Sequence, residues 1–201
     1  MKRILVSCLL VFVCLSTVFA SDNYVGGNIG FSWGIGNQKT VGGTISVSDS
    51  TISFGANGAN YFSNSFGIGY SIGFSKTLSS QLGDIKEDVS DIAMPFTVRV
   101  MGLYKYNFNK KIALEVGAGL GNYTSIKADN GVTVKRTGLS LDLKVGVLSN
   151  LQKNLAITGG LNMSIPVLNK VSTTTKLGST SINKEGFKFI IGPYISVMYR
   201  Y

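Results

Sequence analysis

Charged side chains at alternate positions are the residues of this chain whose types and spacing could do chemistry. Five of them fall in three neighbouring segments: Arg99, Lys105, Glu115, Asp142 and Lys144. Histidine is absent from the 201 residues, and both cysteines, Cys8 and Cys14, lie within the first twenty. Histidine- or cysteine-dependent catalysis and His/Cys metal sites are therefore excluded beyond residue 20. We expect no enzymatic activity, no metal and no cofactor, and we assign the five charges to ion pairing.

The first twenty residues predict a cleaved secretory signal peptide. Lys2 and Arg3 precede an apolar run, and residues 18–20 place small side chains at the two positions that a signal peptidase reads. A retained anchor is disfavoured, because a membrane-spanning helix needs roughly 20 apolar residues and this run is shorter. We therefore predict a signal peptide at 1–20 and one exported domain at 21–201.

The exported domain is basic. Without Lys2 and Arg3, the 19 basic residues fall to 17, against ten acidic residues. The charges form no long run, which argues against a nucleic-acid-binding tail, and we expect no nucleic acid partner. Attraction to an anionic outer surface requires only the net positive charge.

Alternation of apolar and polar residues with period two dominates the exported domain and predicts β-strands. One face of each segment is apolar, whereas the other is rich in glycine and serine. The pattern recurs seven or eight times, near 24–36, 48–62, 66–75, 92–107, 112–121, 139–147, 155–167 and 187–201. The weakest of these segments is 48–62, so the strand count depends on it.

The distribution of charge indicates which face contacts lipid. Seven charged residues lie on the polar faces: Arg99, Lys105, Glu115, Asp142, Lys144, Lys188 and Arg200. The apolar faces carry only Lys76, at a strand end. Because a cation at the lipid midplane costs roughly 2–4 kcal/mol, the apolar faces are predicted to face lipid and the polar faces a narrow lumen. Only helices and closed barrels satisfy every backbone group in a bilayer.

Turn lengths predict eight antiparallel strands in up-and-down order. Short polar turns occur within 61–69, 106–114 and 148–157, and short turns are typical of the periplasmic side of such barrels. Longer connections, near 37–47, 78–91, 124–136 and 168–184, then lie outside. Apolar residues in 78–91 recur at spacings of four and three, so that segment is either a short helix or a loop with apolar residues.

Aromatic residues recur near both ends of the predicted strands. The lower group includes Phe62, Phe66, Tyr104, Tyr106 and Phe108, and the outer group includes Phe31 and Trp33. Two aromatic girdles at the membrane interfaces explain this clustering, whereas ordinary β-propensity explains only the abundance of aromatic residues in strands. Pro193 falls inside a predicted strand, where we expect a bulge or a local irregularity.

The run at 106–121 and the terminal residues Met198-Tyr199-Arg200-Tyr201 resemble the small outer-membrane β-barrel family that includes the OmpA transmembrane domain, OmpX and the opacity proteins. The resemblance extends over 21–201 and implies a monomeric barrel in a bacterial outer membrane. It also implies that Tyr199 and Tyr201 are read by the barrel-assembly machinery. The glycine expected three positions before the first of these tyrosines is replaced by Ser196.

The leading functional hypothesis is a non-enzymatic surface protein. Its basic outer loops would meet lipopolysaccharide, another anionic surface or a host component; their charges are Lys127, Lys135, Arg136, Lys170 and Lys176. The inward charges are interpreted as a plug of ion pairs, because an eight-stranded barrel is just wide enough for side chains to fill. Two alternatives stay open: a narrow channel or route for small apolar solutes, and a soluble periplasmic lipocalin-like binder.

Overall fold

The computed structural model of the chain describes residues 20–40, 43–83, 85–87, 94–129, 132–175, 178–183 and 186–201. The signal peptide at 1–20 lies outside these ranges apart from Ala20, and it stays a prediction. Within the described ranges, the chain contains no helix with the length and apolarity that a membrane crossing requires.

The described residues form ten β-strands in one sheet. These are β1 (Asp22–Thr40), β2 (Gly43–Tyr61), β3 (Phe66–Leu82), β4 (Ile85–Glu87), β5 (Phe96–Asn107), β6 (Ile112–Asp129), β7 (Val132–Gln152), β8 (Leu155–Thr175), β9 (Gly178–Asn183) and β10 (Gly186–Arg200).

Eight of these strands close into an antiparallel ring. The order is β1, β2, β3, β5, β6, β7, β8 and β10, and β10 pairs again with β1. The short strands β4 and β9 extend β3 and β8 at the outer end. The prediction of an all-β, eight-stranded up-and-down barrel is confirmed, and the weak segment 48–62 lies in β2.

The register determines which side chains point into the lumen. Tyr24 pairs with Ala59, Ala59 with Gly69, and Gly69 with Met101, which gives one inward row across four strands. Tyr24, Ala59 and Met101 are all buried. The adjacent outward row includes Leu120, which is 63% exposed on the apolar face. Since side chains alternate with period two, the whole apolar set faces outward in this register.

Apolar side chains fill the lower part of the lumen, which the alternation did not predict. The buried cluster consists of Tyr24, Ala59, Tyr61, Met101, Leu103, Ala113, Leu148, Ala156 and Met198. Glycines make room for it, because a Cβ at Gly69 or Gly117 would lie within 2.9 Å or 2.8 Å of the Leu103 methyl groups. This end of the barrel is therefore packed like the core of a small soluble domain.

The connections expected to be long outer loops are largely strand. β1 and β2 remain paired out to Thr40 and Gly43, so most of 37–47 forms a hairpin. The β6–β7 hairpin likewise covers most of 124–136, and β8 with β9 covers most of 168–184. These segments are rich in threonine and valine, whose β-propensity favours continued pairing beyond the membrane.

The helix considered for 78–91 is wrong for the residues that the structure describes. Leu78 and Leu82 belong to β3, and Ile85 belongs to β4 and pairs with Leu82. The four-residue spacing has another cause: the β2–β3 register shifts at Ser50/Thr51, so a bulge interrupts the alternation of β3. Val89 lies outside the described residues.

Pro193 causes the expected irregularity, but it introduces no bulge into the pairing of β10 with β8. Its pairing with Leu161 continues the β8–β10 register without a shift. On the other side, the β1–β10 ladder skips Phe31 and Ser32 and resumes at Trp33 in the same register. The missing proline N–H therefore interrupts the ladder without displacing it.

Candidate functional site in the lumen

Charged side chains occupy the lumen at three levels along the barrel axis. The lower level, near the short turns, contains Asp22, Lys105, Glu115, Lys144 and Arg200; the middle level contains Arg99 and Asp142; the upper level contains Asp49 and Arg136. Strand alternation directs each of these side chains inward. Cross-strand register then brings opposite charges together, from neighbouring strands for Glu115 and Lys144 and from opposite sides of the ring for Asp49 and Arg136.

Glu115 is the centre of the lower level. It is 1% exposed, forms an ion pair with Lys144 and accepts a hydrogen bond from the hydroxyl of Tyr61. The Lys144 ammonium also lies 5.0 Å from the centre of the Tyr194 ring. A buried carboxylate is tolerated when its charge is compensated, and the Lys144 ammonium compensates the charge of Glu115.

Asp22 connects the first strand to the rest of the lower level. Its carboxylate lies 3.1 Å from Lys105 Nζ and 2.6 Å from Arg200 Nη2. Lys105 is 4% exposed, and its Nζ also lies 4.2 Å from the centre of the Tyr61 ring. Lys105 and Glu115 are direct cross-strand partners, yet the Lys105 ammonium reaches Asp22 instead.

The middle level is a single ion pair that reaches over β6 on the lumen side of the wall. Arg99 Nε donates to Asp142 Oδ2 at 3.0 Å, and Ser140 Oγ donates to Asp142 Oδ1 at 2.7 Å. Asp142 and Ser140 are each 1% exposed. The Arg99 side chain lies over Gly121 and lines lumen cavities on both sides, one beside Lys144 and one beside Asp49.

The upper level corrects the assignment of Arg136. The sequence predicts Arg136 in an exposed outer loop, but its side chain is 3% exposed and its Nη1 lies 3.5 Å from Asp49 Oδ2. Ser80 Oγ donates to Asp49 Oδ1 at 2.7 Å. β7 extends far enough that Arg136 is still an inward position on a strand.

The remaining charges assigned to outer loops have separate outcomes. Lys135 and Lys170 are exposed on strands β7 and β8. The side chain of Lys127 and the whole of Lys176 lie outside the described residues. Only two of the five cations are therefore seen as exposed outer charges.

The structure does not unite the five predicted lumen charges in one cluster. Arg99 pairs with Asp142, and Lys144 with Glu115, but Lys105 pairs with Asp22. Sequence reasoning missed Asp22 and the three lumen tyrosines that surround the lower level, namely Tyr24, Tyr61 and Tyr194. Alternation already predicts that Tyr24, Tyr61 and Arg200 face inward, and this pattern could have identified them as lumen residues.

The space left between these levels is small. Two lumen cavities lined by Arg99 have volumes of about 40 Å³ and about 50 Å³, one bordered by Lys144 and the other by Asp49. Such volumes hold a few water molecules at most. In the described residues, the ion pairs and the apolar cluster thus divide the lumen into separate small voids.

Aromatic rings form outward rows at two heights. Phe66 lies against Tyr104 and Tyr106 against Phe108 at the lower height, where Phe62 is also exposed. Phe31 and Trp33 are in edge-to-face contact at the upper height. A further upper row was not predicted as a unit: Phe54, Phe74 and Phe96 face one another across β2, β3 and β5.

The distance between the two heights fits a membrane. Phe66 and Phe74 are eight residues apart, or about 26 Å along the strand, which fits a tilted strand in an apolar band of about 25 Å.

Tyr199 and Tyr201 end the chain on the outward face of β10. Their rings are stacked with centroids 6.4 Å apart and an angle of 13° between planes, and both are more than half exposed. Asn154 Nδ2, from the β7–β8 turn, donates to the Tyr199 hydroxyl at 2.8 Å. The geometry leaves both rings accessible at the lower rim.

Comparison with known proteins gives a match along almost the whole chain. The family described as "Outer membrane protein beta-barrel domain" matches residues 5–196. No curated protein sequence gives a significant match.

Solved outer membrane barrels have similar structures at low sequence identity. The outer membrane protein OprG from Pseudomonas aeruginosa is 14% identical, with 90% of this chain and 96% of OprG covered and a TM-score of 0.61. The outer membrane protein AlkL is 19% identical, with 90% and 89% covered and a TM-score of 0.53. Neisserial surface protein A is 13% identical, with 89% and 95% covered and a TM-score of 0.50. At these identities the likeness concerns the fold alone.

Proposed function

Because this chain belongs to the outer membrane protein β-barrel domain family and is located in the outer membrane, we propose that it is a closed, non-catalytic barrel that anchors surface hairpins. One observation carries the proposal: ion pairs occupy three levels of a lumen whose lower end is filled by apolar side chains, and the upper pair, Asp49–Arg136, joins opposite sides of the ring. The outer membrane location excludes the soluble periplasmic binder.

The alternation of inward charge and packed apolar residues opposes conduction. An ion moving through the lumen would have to displace the Arg99–Asp142 pair and then the Glu115–Lys144 pair, both of which contain an acid only 1% exposed. Separating such a pair leaves an uncompensated buried charge, at a cost of about 3–5 kcal/mol. Two such steps in series make a narrow pore the weaker proposal.

The barrel wall between β1 and β10 also argues against a lateral route for small apolar solutes. A groove of about 290 Å³ lies on the outer face beside Pro193, lined by Ile29, Phe31 and Ile195 among others. Its floor is closed, because a Cβ at Gly192 would lie only 1.7 Å from the carbonyl oxygen of Phe31. β1 and β10 therefore remain in close contact where the ladder is interrupted.

Planar-bilayer recording tests the closed lumen. We expect the purified barrel to show no stable unitary conductance under conditions in which a general porin conducts. Arg99→Ala is the matched variant, because it removes the side chain that lines both lumen cavities while leaving the lower level intact. Stable steps in the wild-type protein whose size changes in Arg99→Ala would contradict the proposal and favour the channel.

The surface role belongs to the outer hairpins. β1–β2, β6–β7 and β8–β9 project from the rim as paired strands, and Lys135 and Lys170 give them exposed positive charge. A barrel with a closed lumen can hold these hairpins in a fixed arrangement against an anionic surface or a surface ligand. We expect a monomer to suffice, since the ring is complete within one chain.

We further propose that Tyr199 and Tyr201 form an assembly signal, because both rings are exposed at the rim where β10 ends. The double variant Tyr199→Ala/Tyr201→Ala should reduce the folded barrel in the outer membrane of expressing cells several-fold, measured as the heat-modifiable band on a gel. Folding of the purified variant into vesicles without assembly machinery should stay close to wild type. The control Phe62→Ala/Phe108→Ala removes two exposed rings of the lower girdle that lie in turns. An equal loss of folded barrel in this control would mean that the tyrosines act by general anchoring at the interface and not as a specific signal.

A further inference from the structure

The outer face of β6, β7 and β8 contains a large groove above the apolar band. Its volume is about 740 Å³. The outward-facing side chains that line it are Asn122, Thr124, Thr137, Leu139, Leu168 and Lys170. The lumen ion pairs take no part in it, so it is separate from the site described above.

A bulge in β8 accounts for the bend of the wall at this groove. Leu139 pairs with Leu168, but the next residue, Ser140, pairs with Pro166, so Val167 is an extra residue. Pro166 has no N–H to give to the ladder, and a bulge is where a sheet accommodates proline. Bulged strands bend, and here Val167 and Leu168 are both exposed, at 57% and 61%.

The lining changes from apolar to basic in the outward direction. The lowest row contains Leu139 beside Leu168, and the next row contains Thr137 beside Lys170. The row above it places Lys135 beside Ser172. The groove therefore begins at the apolar band and ends at Lys170, with Lys135 one row beyond it. An acyl chain joined to an anionic headgroup has the same order of chemistry.

Lys135 and Lys170 are placed to act on one ligand. They are diagonal neighbours on the same face of β7 and β8, a relationship that puts residues about 7–8 Å apart. Both are exposed, and none of the acids whose side chains the structure describes forms an ion pair with either lysine. Two ammonium groups at this spacing can both approach a single phosphate.

We propose that this groove binds a phosphate-bearing lipid of the outer leaflet. Lys135 and Lys170 contact the phosphate, Thr124 and Thr137 supply hydroxyls to the headgroup, and the acyl chain lies on Leu139 and Leu168. The site rests on the outer membrane location and does not depend on whether the lumen conducts.

Titration of the purified barrel in nanodiscs with lipid A tests the proposal, with bound lipid counted by native mass spectrometry. Lipid A carrying its phosphates should bind more tightly than the same lipid after enzymatic dephosphorylation. Lys135→Ala/Lys170→Ala should weaken binding of the phosphorylated lipid by about thirty-fold, and binding of the dephosphorylated lipid should not change. The control Lys110→Ala/Lys153→Ala removes two exposed lysines from the short turns at the opposite end and should bind like wild type.

Three results would overturn the site. The first is equal affinity of the wild-type protein for the two forms of the lipid. The second is wild-type affinity in Lys135→Ala/Lys170→Ala, with heat modifiability showing that the variant is folded. The third is complete displacement of the lipid by inorganic phosphate, which would show a phosphate site with no need for acyl chains. None of these results bears on conductance, so the proposed closed lumen is judged separately.

Discussion

Glu115→Gln is expected to destabilise the folded barrel by about 3 kcal/mol, because it removes one charge of a buried pair and leaves the Lys144 ammonium uncompensated. Glutamine has nearly the shape of glutamate and can still accept a hydrogen bond from Tyr61. The expected decrease in the free energy of unfolding therefore measures the missing charge compensation, because the substitution creates no cavity. Urea unfolding from lipid vesicles measures it, with Trp33, the single tryptophan, as the fluorescent probe.

The double variant Glu115→Leu/Lys144→Met provides the control for Glu115→Gln. Replacing both members of a buried ion pair by apolar residues is often neutral or stabilising, so this variant should unfold at higher urea than Glu115→Gln. If Glu115→Gln unfolds at the same urea concentration as wild type, the lower level contributes no net stability and the Glu115–Lys144 pair is not the buried pair described here.

Leu120→Arg should have an effect of similar size on the other side of the same strand. Leu120 is 63% exposed on the outward face of β6 and pairs with Val100, which lies halfway along β5 between Phe96 of the upper aromatic row and Tyr104 of the lower one. Arginine at the lipid midplane costs roughly 2–4 kcal/mol, whereas near the interface the cost falls to roughly 0–1 kcal/mol. Ser48→Arg is the matched control, because Ser48 is exposed on the outward side of the β1–β2 hairpin.

Urea unfolding of both arginine variants from vesicles decides the orientation of the wall. We expect a large decrease in the free energy of unfolding for Leu120→Arg and little change for Ser48→Arg. Equal values for the two would mean that Leu120 does not face hydrocarbon. That result would contradict the outward assignment of the apolar faces.

The sequence predicted the ring and its two faces because alternation is a local signal. Glu115 and Lys144 each lie on a polar face of a strongly alternating segment, so their inward direction followed without any knowledge of the register. Their pairing with each other requires only that β6 and β7 are neighbours, and the predicted up-and-down strand order already implies this. The same reasoning failed for Lys105, whose partner Asp22 belongs to a strand 83 positions away in sequence.

Other features depended on where strands end, and no local pattern indicates that. Arg136 belongs to the longer connection 124–136, which predicts an outer loop, but continued pairing with β8 keeps it on an inward face. The helical spacing in 78–91 arose from a bulge that shifts β3 against β2, and a bulge of this kind is visible only in the register. The apolar filling by Leu103 and Leu148 was missed because inward positions were expected to be polar.

The pairing of β1 with β10 gives the ring a seam that joins the two ends of the chain. Tyr24 lies opposite Arg200, and the seam reaches Asn37 and Gly186. Every other junction of the ring connects consecutive ring strands, so it can form by local zippering, whereas this one requires the whole chain. Closing so long a loop costs about 3 kcal/mol more in chain entropy than closing a short hairpin.

That entropic cost falls on a junction whose ladder is also interrupted, opposite Pro193. The Asp22–Arg200 ion pair lies at the lower end of the seam and holds its strand ends together. An assembling chain therefore remains an open sheet with two unsatisfied edges until its last strand arrives. The fifteen residues of β10 convert that sheet into a ring without ends.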